Sequence, residues 1–153
     1  MENANAISYP IIFFENENRF RVIESKDFFL KIPFFDLLHE KYYHYYLFDN
    51  QGFIWKISSI TSKTKKNLIN YLLSKFLQKM VEIEAFFVKL GTYTLERLKN
   101  EIAISIQKDN FFTQYVEISE IRERLFKIES YQKLVKEIDF ENENNIFNED
   151  YIA

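Results

Sequence analysis

Residues 42–58 read YYHYYLFDNQGFIWKIS and contain the chain's single Trp. Within them, Asp49-Asn50-Gln51-Gly52 has the composition of a type I turn, with Asp at its first position and Gly at its fourth. Gly52 takes the left-handed conformation at little steric cost, which closes a three-residue loop with a bulge. Such a turn sets Asp49 opposite Phe53, Leu47 opposite Trp55 and Tyr45 opposite Ile57. Side chains alternate along a strand, so this register divides the hairpin into two faces. Tyr43, Tyr45, Leu47, Phe53, Trp55 and Ile57 form a charge-free face, expected in the core. Tyr42, His44, Tyr46, Phe48, Ile54, Lys56 and Ser58 form the other, expected either to lie under a helix or to bind a partner.

Upstream of the hairpin the pattern favours more strands. Ile7 to Glu15 reads as a strand, with Pro10 placing its start at a sheet edge. A turn at Glu15 to Asn18 leads to alternation from Arg19 to Glu24, with Phe20 and Val22 inward. After Ser25-Lys26-Asp27, the alternation of Phe28, Leu30 and Ile32 predicts a third strand, stopped by Pro33. Phe34 to Lys41 is a short helix or an irregular crossover.

Downstream the period changes. Leu68, Ile69, Leu72, Leu73, Phe76, Leu77 and Met80 recur at three and four, which predicts a helix within Ser62 to Met80. Its apolar stripe is expected to cover the second hairpin face. Val81 to Leu90 alternates again and reads as a strand ended by Gly91. Thr94 fits the N-cap of a helix to about Lys108, with Leu95, Leu98, Ile102 and Ile106 inward. Alternation of Ile102, Ile104 and Ile106 leaves a strand open at 102–108. Ser119 and Ser130 are candidate caps for two more helices, with inner residues Ile121, Leu125 and Ile128, then Leu134, Val135 and Ile138. The sum is an α+β fold: an antiparallel sheet of about five to six strands with helices packed on one face.

Composition bounds the rest. The chain of 153 residues, 47% hydrophobic, suits one domain with a substantial core, placed at 1–138. Residues 139–153, DFENENNIFNEDYIA, lose periodicity and hold five acids and no base, which predicts a flexible acidic tail. The formal net charge of −3 therefore belongs to the tail, and the body is nearly neutral. With no basic stripe, no nucleic-acid partner is expected. With no cysteine, neither a disulfide nor a thiolate metal site can form. No signal peptide opens the sequence and no apolar run approaches spanning length, so no membrane partner is expected and a cytoplasmic location is.

Catalytic constellations are sparse. His39 and His44 are five apart and lack a third ligand by spacing, so no metal site is expected. Glu24 and Lys26 form an E-x-K that, with Glu15 or Glu17, has the types of a metal-dependent nuclease; charges flanking a turn explain it more simply. Glu82 and Glu84 pair as acid–base carboxylates do, yet acids on the wet face of a strand look the same. Two glycines leave little material for a backbone phosphate cradle. No catalytic residue and no cofactor are expected, which turns attention to binding.

In YTLERLKNEI (93–102), SEIRERLFKIESYQKLVKEI (119–138) and the hairpin LFDNQGFIWKI (47–57), the chain resembles small bacterial immunity proteins of polymorphic-toxin systems. The resemblance implies a protein without catalysis that occludes one cognate toxin domain. The contacts expected are Tyr42, His44, Tyr46 and Lys56 on the second hairpin face and Asp49 at the turn, with Glu82 and Glu84 and the acidic tail meeting a basic partner. A homo-oligomeric structural or regulatory adaptor, phage-encoded for instance, is the alternative, ahead of the nuclease.

Overall fold

The computed structural model describes residues 1–16, 19–33, 36–37, 45–64, 67–77, 79–108 and 117–138. Outside them lie His39, Tyr42, Tyr43 and His44, the second half of the expected turn at 15–18, most of the crossover 34–41 and the acidic tail.

A six-stranded, antiparallel sheet organises the molecule. Its strands are β1 (Glu2–Asn3), β2 (Ile11–Asn16), β3 (Arg19–Ile23), β5 (Tyr46–Phe48), β6 (Phe53–Thr61) and β8 (Glu84–Thr92). They lie in the order β1-β8-β6-β5-β2-β3. A separate ribbon pairs β4 (Lys31–Pro33) with β7 (Met80–Glu82). The helices are α1 (Leu68–Leu77), α2 (Leu95–Lys108), α3 (Ile118–Lys127) and α4 (Tyr131–Glu137).

The hairpin has the register its turn dictates. Leu47 faces Trp55, flanked by Tyr46–Lys56 and Phe48–Ile54. The Gly52 amide donates to the Asp49 carbonyl at 3.3 Å, and the Asp49 amide to the Phe53 carbonyl at 3.0 Å. Gly52 has φ +88°, the left-handed value that the loop requires.

Both faces of the sheet are buried. One carries Ile12, Phe14, Phe20, Phe48 and Ile54, packed with residues of α2, α3 and α4 such as Leu98, Ile102, Leu125 and Leu134. The other carries Ile11, Phe13, Leu47, Trp55, Ile57 and Phe87 against Phe29, Ile32 and Val81. The run Ile11-Ile12-Phe13-Phe14 supplies both faces in turn, as a strand covered on two sides must. Helices α2, α3 and α4 occupy one side; a 3-10 turn at Lys26–Phe29 and the β4–β7 ribbon fill the other.

Several elements depart from the pattern-based expectation. Phe28 to Ile32 is not one strand. Ser25 accepts a hydrogen bond from the Asp27 amide and starts the 3-10 turn, leaving only Lys31–Pro33 extended. The strand expected at 81–90 is two: Ile83 interrupts it by donating its amide to the Leu30 carbonyl at 2.9 Å. Ser119 does not cap; it lies inside α3, which starts one residue after Glu117. Residues 102–108 are helical. Thr94 and Ser130 do cap, accepting from the amides of Arg97 and Lys133, each at 3.2 Å.

The largest correction concerns α1. Asn67 caps it, accepting from the Asn70 amide at 2.8 Å. Its apolar stripe, however, is not core. Leu68, Ile69, Leu72, Phe76 and Leu77 are exposed, Phe76 to 76%. The second hairpin face is covered by α2 and α4 instead.

Candidate functional site

Asp49, at the start of the hairpin turn, points inward. It is fully buried. Its carboxylate accepts from the Gln51 amide at 3.0 Å, the Phe53 amide at 2.9 Å and Trp55 Nε1 at 2.7 Å. Three donors on two oxygens offset the cost of removing a carboxylate from water. The side chain thus holds the turn together and presents nothing to a partner, contrary to its place among the expected contacts.

Tyrosines extend this knot to three other segments. The Tyr93 hydroxyl donates to the Asp49 carbonyl. The Tyr131 hydroxyl lies 2.9 Å from the Phe48 carbonyl and 3.0 Å from the Pro10 carbonyl, joining α4 to β5 and to the residue before β2. Asn50 reaches the other way, with its amide on the Ser8 carbonyl and its side chain on that of Tyr9. Burial first, and the neighbouring Asp49 second, raise the Tyr93 phenol above its ordinary value. Burial likewise raises Tyr131, reinforced by Tyr93 and Asp49.

The second hairpin face divides. Phe48 and Ile54 are buried under helices. Tyr46, half-buried and stacked on Phe14 at 5.2 Å, and Lys56, exposed, stand at the margin of that cover. They line an open cleft of about 360 Å³ whose other walls include Leu90, Arg97 and Glu101. Leu90 is 57% exposed, and Val88, opposite Lys56 on β8, is 40% exposed. The cleft therefore has an apolar floor, an aromatic edge and charges of both signs. The sequence reading missed Leu90, Arg97 and Glu101. Arg97 and Glu101 are four apart on a helix whose inward residues were identifiable, so their position on another face was legible. That this face flanks the hairpin was not.

Glu82 and Glu84 are exposed but belong to different sheets, Glu82 opposite Lys31 on β4 and Glu84 opposite Thr61 on β6. Both line a second open cleft, of about 490 Å³, together with Lys63 and Lys79 at the base of α1. The Glu24–Lys26 pair is likewise split. Glu24 follows β3, Lys26 sits in the 3-10 turn and donates to Asn5 at 2.8 Å, and Glu15 pairs with Arg21. Among the described residues, no three His, Asp or Glu side chains gather in a group that could hold a metal ion. No helix of the described residues is long and apolar enough to cross a membrane.

The chain matches no protein-family model, no curated protein and no solved structure.

Proposed function

We propose that this chain is a non-catalytic binding protein of the immunity type, which occludes a cognate toxin domain. The observation that supports it is the cleft between the hairpin and α2. It combines an aromatic edge at Tyr46, exposed Leu90, and the charges of Lys56, Arg97 and Glu101. Protein interfaces have this make-up, an apolar and aromatic centre within a charged rim. The cleft is wide and open, a shape for a protrusion of another protein.

The test is capture followed by neutralisation. Tagged chain is used to isolate partners from its native source, and each captured partner is expressed in a sensitive host with and without the chain. The expected result is a toxic partner domain whose effect the chain abolishes, with loss of protection in Lys56→Glu/Leu90→Asp. A captured partner that is not toxic, or toxicity that the chain leaves untouched, overturns the reading. Recovery of the chain alone, together with a dimer or larger species in sedimentation, assigns it instead to a homo-oligomeric adaptor.

A further inference from the structure

Helix α1 presents a surface unlike the rest of the molecule. At about 100° per residue, Leu68, Leu72, Phe76, Ile69, Leu73 and Leu77 follow one another across one half of the helix. Each is exposed, from 37% at Leu73 to 76% at Phe76. Together they form an exposed apolar stripe along the helix, the kind of patch that marks an interaction surface. The helix makes no extensive packing with any other described element.

Its charge is one-sided. From Ser62 to Met80 the sequence holds five lysines and no acid. Of these, Lys63 and Lys79 line the cleft at the base of the helix, where Glu82 and Glu84 stand beside them, and Lys79 donates to Asn70 at 2.6 Å.

We propose that α1 is an interfacial anchor that lies in the surface of an anionic lipid bilayer. Its apolar half enters the boundary between headgroups and acyl chains, and lysines at its ends meet lipid phosphates. Ten residues rise about 15 Å, half the hydrocarbon thickness, so the helix lies in the plane and does not span. A second copy of the chain fits less well, because an α1–α1 contact brings together two segments that each carry five lysines and no acid of their own. The expectation of no membrane partner came from the lack of a spanning segment, and an interfacial helix needs none.

The experiment is co-sedimentation of the full chain with vesicles of phosphatidylcholine alone and with about a third phosphatidylglycerol. Binding to the anionic vesicles, weakened by salt, is expected. Leu72→Asp/Phe76→Asp should abolish it. Lys63→Gln/Lys79→Gln should weaken it roughly 30-fold, since each lysine near an anionic surface contributes about fivefold. The substituted apolar side chains are exposed, so the core is retained, and unchanged Trp55 emission checks this. Failure to sediment with anionic vesicles overturns the proposal, as does sedimentation that ignores Leu72→Asp/Phe76→Asp. A dimer that Phe76→Asp splits, or retention by an acidic protein without vesicle binding, assigns the face to a protein contact instead and overturns it equally.

Discussion

At the scale of single residues, Asp49 shows why chemical type alone misplaces function. An acid at the first position of a turn is as often a ligand for its own backbone as for a partner. Here it holds two amides and the indole. Asp49→Ala leaves the buried indole and two part-buried amides without their acceptor, and the expected loss is about 3 kcal/mol, read from urea unfolding monitored by Trp55 fluorescence. Tyr131→Phe removes a hydroxyl shared by two carbonyls and should cost about 1–2 kcal/mol in the same assay. The buried phenols also set an alkaline limit. Tyr9, Tyr93 and Tyr131 all have raised values, chiefly through burial. An unfolded tyrosine ionises near pH 10, so above that the unfolded state sheds protons that the folded state retains. The stability these groups contribute is complete below about pH 10 and is lost as pH rises beyond it. Unfolding midpoints should therefore be insensitive to the tyrosines from pH 7 to 9 and fall above about 10, with a shallower fall in Tyr131→Phe.

Among elements, legibility followed the range of the signal. The hairpin register was readable because Asp49 and Gly52 fix it within four residues. The caps at Thr94 and Ser130 were readable for the same reason; Ser130→Ala should lower stability by about 1 kcal/mol. One failure lies where a distant contact decides. Ile83 breaks its strand because its amide meets Leu30, 53 positions earlier. Phe28 to Ile32 alternates, yet the Ser25 side chain competes for the backbone and starts a 3-10 turn. In α1 the stripe was read correctly as helical and wrongly as core, since a period of 3.6 states that a helix has an apolar face and not what that face meets.

For the whole molecule, the sheet carries two cores, and sequence alternation alone identified one. Leu98 and Trp55 belong to opposite clusters, and both are almost wholly buried. Leu98→Ala should cost about 2–5 kcal/mol, as a cavity that the flanking helices only partly close. The tail lies outside the described residues. If its five acids steer a basic partner, deleting 139–153 should slow association at low salt and make its rate less salt-dependent; an unchanged rate at low salt ends that idea. The isolation of α1 has a consequence for cooperativity. Trp55 sits in the Asp49 knot, whereas no other described element packs extensively on α1. A helix of ten residues without such support is marginal in water. Its amides should exchange with solvent by local opening, far faster than those of β5 and β6, which wait for global unfolding. Helix content measured in the far ultraviolet should then decline before Trp55 emission responds, so the protein unfolds in two stages, the first confined to residues 68–77.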